Sequence, residues 1–165
     1  MNILAVLVAA IVPMAIGMVW YNPKTLGNAW MKETGLNEEE LRKANMVKIF
    51  GFSILFSCML SLILQSNVIH QMGIVSAFFD YSEQIKDATT KEGAIYKSVM
   101  DLVGTGHRTF GHGVFHGVIT ALFFVLPVIG INSLFERKTF KYIFIHVGYW
   151  VVTLGIMGGI LSAWM

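Results

Sequence analysis

Four of the five histidines lie in two stretches of this chain that hold few charged residues. His107, His112 and His116 fall within the run HRTFGHGVFHG, and His70 follows an apolar segment. His112 and His116 are four residues apart, so on a helix they share one face. Imidazole is a common ligand for zinc, copper, nickel and haem iron. The pattern predicts a candidate metal site at His112, His116 and His70, or a haem held between His70 and His112.

The same histidines have two other interpretations. No cysteine accompanies them, and the nearest upstream carboxylate is Asp101. Histidines at a membrane surface commonly bond to backbone or water, and closely spaced histidines can also pass protons. The sequence favours the interfacial interpretation, with the metal or haem site and the proton relay as alternatives. The leading expectation is therefore a protein without a cofactor.

A second polar group is expected where the last two apolar segments meet. Asn132 and Glu136 are four residues apart at the end of one segment, and His146 lies about two turns into the next. A buried histidine beside a carboxylate titrates near neutral pH. Aromatic residues are expected to border this group: Trp20, Tyr21 and Trp150. Alternatively, the aromatic residues form an interfacial belt and the polar residues fix the turn.

Four apolar segments must position these residues, at about 3–21, 46–70, 111–134 and 140–164. A helix needs about 20 residues to cross the hydrocarbon core of a bilayer. Unpaired backbone groups are costly in lipid, so such segments must be helical. The sequence predicts an all-α membrane protein, a single domain over residues 1–165 that forms a four-transmembrane-helix bundle.

The composition supports a membrane protein and excludes several functional classes. Hydrophobic residues make up 55% of the 165 residues and charged residues 13%, about half the ~25% of soluble domains. The net charge of +2 is too small to indicate a nucleic-acid partner, so membrane lipids are the expected surroundings. Neither a phosphate-binding loop nor a serine nucleophile motif occurs, which argues against an enzyme.

Basic residues predict the orientation of the bundle. Eight lysines and arginines lie in or near the first and third loops, against four in the middle loop. Cytoplasmic loops carry an excess of these residues. We therefore expect loops one and three in the cytoplasm and both termini outside.

Two loops carry helical signals of their own. Asn37 and Glu40 form a predicted capping box, which should begin a short polar helix that runs into the second span. In the middle loop, Ile95, Val99 and Val103 recur at helical spacing. This spacing predicts a short amphipathic helix on the membrane surface.

The second apolar segment carries a stripe of polar residues spaced by four: Ser53, Ser57, Ser61 and Gln65. This spacing places them near one helix face, directed into the bundle or towards another subunit. The stripe indicates either ordinary helix packing or a polar path. The other segments carry glycine or alanine stripes, so we expect a homo-oligomer. Pro13 and Pro127 should each kink their helix.

Several motifs resemble a known family. They are WYNP at 20–23 with LGNAWM at 26–31, His116-Gly117, Asn132 with LFER at 134–137, and Gly148-Tyr149-Trp150. These are similar to motifs of an uncharacterised bacterial membrane family, the domain of unknown function numbered 1761. The resemblance covers nearly the whole chain except about 76–108. It implies a four-helix bacterial inner-membrane protein and brings no activity. Its motifs favour a functional role for the group of Asn132, Glu136 and His146, at the cytoplasmic end, over one for the histidines His70, His107 and His112 at the outer end.

Three functional hypotheses remain. The leading one is non-enzymatic binding or conduction of a small solute or ion, through the serine and glutamine stripe and the Asn132, Glu136 and His146 group. The second is a membrane enzyme with a metal or haem held by His112 and His116. The third is an accessory subunit of a larger membrane complex.

Overall fold

The computed structural model describes residues 2–164, and every regular element within that range is helical. The helices are α1 (Ile3–Trp20), α2 (Gly27–Thr34), α3 (Glu38–Arg42), α4 (Met46–Val68), α5 (His70–Ala77), α6 (Lys91–Val103), α7 (Phe110–Thr120), α8 (Leu126–Phe135) and α9 (Phe140–Ala163). Short 3-10 turns lie at Phe79–Tyr81 and Gln84–Lys86. The all-α prediction is confirmed.

Four helical segments are long and apolar enough to cross a membrane: α1, α4, the continuous segment from α7 to α8, and α9. This confirms the predicted four-helix membrane bundle. Helices α2 and α3 occupy the first loop, and α5 and the amphipathic α6 occupy the middle loop. With four spans, the chain ends and the middle loop lie at one end, here named the termini end. The first and third loops lie at the other, the loop-one end.

Each spanning segment begins at a side chain that caps it. Asn2 accepts from the Ala5 N–H at 3.2 Å, and Asn45 accepts from the Lys48 N–H at 3.0 Å. Thr109 and Thr139 do the same for α7 and α9. Such caps satisfy N–H groups that have no partner within the helix, so these four residues set where the spans begin.

The first loop differs in one respect from the prediction. The capping box forms, with Asn37 accepting from the Glu40 N–H at 2.9 Å and Glu40 accepting from the Asn37 N–H at 3.0 Å. The helix it begins, α3, ends at Arg42 instead of running into the second span. The reason is that Asn45 is extended and caps α4 separately.

Glycines bring the backbones of α7 and α9 into direct contact. A Cβ atom on Gly113 would lie 2.0 Å from the Gly158 carbonyl oxygen, and one on Gly117 would lie 2.0 Å from that of Leu154. Helices in lipid associate through close approach at small residues. Half of the most apolar stretch of α9 is buried, so α9 is the central helix of the bundle.

A wider helical turn lies just before Pro127, where the sequence predicts a kink. Residues Ala121–Val125 form a π-helical turn between α7 and α8, and Pro127 lies in the first turn of α8. Proline lacks the N–H for the usual helical hydrogen bond, and its ring crowds the preceding turn. Pro13 lies buried inside α1.

Replacing Gly117 should separate α7 from α9. We expect Gly117→Ala to lower the free energy of unfolding by about 1–3 kcal/mol, because the added methyl overpacks a rigid backbone contact. Gly130→Ala in α8 is the matched control, since a Cβ there meets nothing within 4 Å. Unfolding by SDS in mixed micelles, followed by circular dichroism, measures both. Equal stability of the two variants would contradict the contact.

The orientation of the bundle can be read by cysteine labelling. Lys91 is exposed at the start of α6, whereas the native Cys58 is half-buried in α4. In a Cys58→Ser background, we expect Lys91→Cys to react with a membrane-impermeant maleimide from outside intact cells, because the basic loops should be cytoplasmic. Lys24→Cys is the control for the other end. If position 91 reacted only from the cytoplasm, the predicted orientation would be wrong.

Candidate ligand-binding cavity and histidine cluster

A tight turn after α1 folds α2 back against the end of the bundle. The Leu26 N–H donates to the Trp20 carbonyl at 3.2 Å, and the Gly27 N–H donates to the Asn22 carbonyl at 2.9 Å. A Cβ on Gly27 would lie 2.3 Å from the Tyr21 carbonyl oxygen. Only glycine fits so close an approach, so the turn depends on this residue.

Contacts with α9 fix this turn and α2 in place. The Trp20 indole donates to the Ile145 carbonyl at 3.0 Å and lies close against Gly148. On α2, the largely buried Glu33 accepts from the Thr139 hydroxyl and lies 3.6 Å from the Lys141 ammonium. The end of α1, α2 and the start of α9 therefore form one rigid corner.

Tyr21 is the centre of an aromatic cluster in this corner. Its ring lies 5.3 Å from those of Trp30 and Tyr149, and its hydroxyl lies 3.1 Å from His146 Nδ1. Burial raises the pKa of the Tyr21 phenol, and Tyr149 and Tyr142 add to the effect. The phenol therefore stays protonated and can donate to Nδ1, which leaves the proton of a neutral imidazole on His146 Nε2. That Nε2 is buried and has no hydrogen-bond partner in the described part of the chain.

A cavity of about 720 Å³ lies beside this cluster, between α1, α4 and α9. Its volume is within the range of small-molecule sites. Aromatic rings line it from the corner and α9: Tyr21, Trp30, Tyr149 and Trp150. The remaining walls are mostly apolar: Pro13, Met14, Gly17 and Met18 of α1, and Met46, Ile49, Phe50, Ser53, Phe56, Ser57 and Leu60 of α4. None of these fifteen lining residues carries a charge.

The polar stripe of α4 continues from this cavity towards the termini end. Ser53 and Ser57 line the cavity, whereas Ser61 and Gln65 are buried beyond it, at 0% and 1% exposure. Among residues 2–164, Ser61 Oγ and Gln65 Oε1 find no hydrogen-bond partner. Unpaired buried polar atoms are costly and require an explanation. Water or a passing solute would satisfy them.

The other predicted polar residues lie apart from His146. Asn132 and Glu136 are both exposed. Within residues 2–164, no side-chain hydrogen bond or ion pair joins either of them to His146, whose partner is Tyr21. Trp20 supports the corner from outside the cavity lining, while Tyr21 and Trp150 belong to that lining.

At the termini end, the structure gathers four histidines. His70 follows the helix break at Ile69, and its Nε2 lies 2.8 Å from Nε2 of His112. One ring nitrogen from each of His70, His112 and His116 lies within 4.8 Å of the other two. The His107 ring is 4.9 Å from that of His112 and 5.6 Å from that of His70.

The loop before α7 is tied to the end of α9. Arg108 donates to the carbonyls of Ser162 at 2.7 Å and Trp164 at 2.6 Å, and the Ser162 hydroxyl donates to the His107 carbonyl at 3.2 Å. His107 has a φ of 64°, which is uncommon for residues other than glycine, although histidine adopts it more often than most. Gln71 on α5 donates to the Gly104 carbonyl at 2.9 Å, so both walls of the cluster are anchored.

Sequence reasoning missed the cavity and the groups that fix both sites. Glu33 and Arg108 each act across more than fifty residues of chain, and their contacts leave no local pattern. For the cavity, one signal was present: Gly17 lies on the same helix as the aromatic motif at Trp20 and Tyr21, where a missing side chain leaves room.

Comparison with known proteins identifies a family without adding an activity. No curated protein and no solved structure matches the chain. Residues 4–162, nearly the whole chain, match the family described as "Protein of unknown function (DUF1761)". The four-helix membrane protein described above therefore belongs to the DUF1761 family.

Proposed function

We propose that this membrane protein binds a small, uncharged amphiphilic molecule in the cavity between α1, α4 and α9, without catalysing a reaction. The observation that carries the proposal is an uncharged, mostly apolar cavity of about 720 Å³ at one end of a spanning bundle. The setting we propose is the bacterial inner membrane, with the loop-one end in the cytoplasm.

The lining determines the chemical class of the ligand. A charged group placed inside would lose its hydration without gaining a counter-ion, at a cost of several kcal/mol or more. Tyr21 stays neutral because burial raises the pKa of its phenol. These features favour an uncharged ligand over an ion inside this cavity.

The distribution of polar groups supports an amphiphile. The Tyr21 hydroxyl and the Trp30 ring lie at the loop-one end, where the membrane surface would be. Met14 and Leu60 line the part further along the spans. Tyrosine and tryptophan commonly lie where one side of a site is wet and the other apolar. The ligand would therefore lie as a bilayer lipid does, with its polar group at the surface.

Binding is favoured over catalysis by the functional groups of the lining. Covalent and acid–base catalysis need a nucleophile or a titrating group that reaches the substrate. The lining has no carboxylate, cysteine, lysine or histidine. Its two serines, Ser53 and Ser57, have no base bonded to them within residues 2–164, and the Tyr21 phenol stays protonated because burial raises its pKa. His146 lies outside the lining, and its hydrogen bond to Tyr21 fixes the direction of the Tyr21 hydroxyl.

Filling the cavity should abolish binding. We expect a dibrominated fatty alcohol to quench tryptophan fluorescence of the purified protein saturably, because Trp30 and Trp150 line the cavity. Gly17→Leu should weaken this quenching at least about tenfold, since its side chain would occupy space that the ligand needs.

The matched control is Gly51→Leu, a glycine of α4 whose added Cβ meets nothing within 4 Å. The tryptophan fluorescence of this variant should be quenched as strongly as that of the wild type. Quenching that never saturates in the wild type, or that is equal in the two leucine variants, would overturn the proposal. The first result is also what a cavity covered by a second copy of the chain would give.

Conduction is a second candidate, and one observation favours it. Ser61 Oγ and Gln65 Oε1 are buried, unpaired and aligned along α4 beyond the cavity. An uncharged polar line of this kind suits a small neutral solute, whose hydroxyl groups could bond to each position in turn.

Flux measurements test this candidate. We expect proteoliposomes to take up glycerol faster than empty vesicles, measured by stopped-flow light scattering. Gln65→Leu should reduce the additional rate about tenfold or more, because one lost hydrogen bond of ~1.4 kcal/mol changes a rate tenfold. Ser66→Leu, on the exposed side of the same helix, should leave it unchanged. Equal rates of glycerol uptake by the proteoliposomes and by vesicles without protein would exclude conduction of glycerol.

A further inference from the structure

We propose that His70, His112 and His116 bind one divalent transition-metal ion, with zinc as the best match. Three imidazoles from two separate helices converge at the termini end, with one nitrogen of each within 4.8 Å of the others. The site lies at the opposite end of α4 from the cavity, so it does not depend on the proposed ligand-binding function.

The distances suit a small ion. Zinc–nitrogen bonds of about 2.0–2.1 Å in a tetrahedral arrangement place the ligand nitrogens about 3.3 Å apart. In the structure, the His70 and His112 Nε2 atoms are 2.8 Å apart, and no pair of the three ligand atoms exceeds 4.8 Å. Small changes in side-chain rotation would bring all three nitrogens to bonding distance, because the observed separations lie on either side of that value. The fourth position would take a water molecule.

The ligand type selects the class of metal. All three donors are imidazole nitrogens, which suit zinc, copper and nickel, whereas magnesium and calcium prefer oxygen ligands. Three histidines from a fixed framework are a known zinc ligand set. The His70 and His112 Nε2 atoms are only 2.8 Å apart, which favours one small ion over a haem macrocycle lying between the two rings.

The structure also fixes the elements that carry the ligands. Gly113 and Gly117 hold α7 against α9, and His112 and His116 follow one another by one helical turn. Gln71, next to His70, anchors α5 to the loop before α7 through the Gly104 carbonyl. Supporting contacts of this kind reduce the loss of side-chain freedom on binding and increase metal affinity.

The remaining histidine supports the same interpretation. His107 is held beside the cluster in a strained backbone conformation, with φ of 64°. A conformation of this kind persists only where the surrounding structure enforces it. Arg108 and Ser162 supply that enforcement through α9.

Cobalt titration tests the site directly. Protein without a histidine tag, purified in neutral detergent and stripped with a chelator, is titrated with Co²⁺. We expect visible absorption of four-coordinate cobalt that saturates at one ion per chain and is displaced by Zn²⁺. His70→Ala, His112→Ala and His116→Ala should each weaken binding more than about 100-fold, since even supporting residues of metal sites contribute about 10–100-fold.

Asn67→Ala is the matched control, because it removes an exposed polar side chain near His70 that bonds to Thr120. It should leave cobalt affinity unchanged. Zn²⁺ should also raise the unfolding temperature of the wild type and of Asn67→Ala, but not of the histidine variants. His112→Gln keeps a polar side chain and replaces His112→Ala if the alanine variant is unfolded. Cobalt binding that is as tight in the histidine variants as in the wild type, or absent from the wild type, overturns the proposal.

Discussion

The backbone contact between α7 and α9 determines both ends of this bundle. Gly113 and Gly117 lie directly against Gly158 and Leu154, so α7 cannot rotate without a clash. In lipid, such contacts replace the hydrophobic effect as the force that holds helices together. Because His112 and His116 each precede one of these glycines, the glycine contact fixes the direction of both imidazoles. The histidine cluster is therefore a consequence of how α7 packs.

Helix α9 transmits this arrangement to the other end of the bundle. Its end near Ser162 holds the loop that carries His107, and its first half holds Trp20 and Tyr21 through Ile145 and His146. The cavity forms where α1 and α4 meet this wall, and Gly17 contributes no side chain to fill it. A change in α9 would therefore disturb two sites at opposite ends of the bundle.

Hydropathy and spacing predicted the spans and the His112–His116 pair because both depend on local sequence. Residue spacing shows which residues share a helix face but not which neighbour that face meets. Asn132 and Glu136 are four residues apart, but both are exposed. The return of α2 depends on a backbone approach at Gly27, and the cavity depends on three helices at once. Contacts of this kind between distant segments cannot be deduced from periodicity alone.

The buried polar stripe links the energetics of the bundle to its function. Ser61 and Gln65 are fully buried, and leaving their oxygen atoms unpaired costs about 1–3 kcal/mol each. Stabilising substitutions are easily found in most proteins. Selection for stability alone would therefore replace these buried unpaired groups. They lie between an uncharged cavity and a histidine cluster, a position that suits the conduction of a small neutral solute proposed above. Water or solute in contact with Gln65 would recover the lost hydrogen bonds, so occupation of this line would stabilise the folded protein rather than strain it.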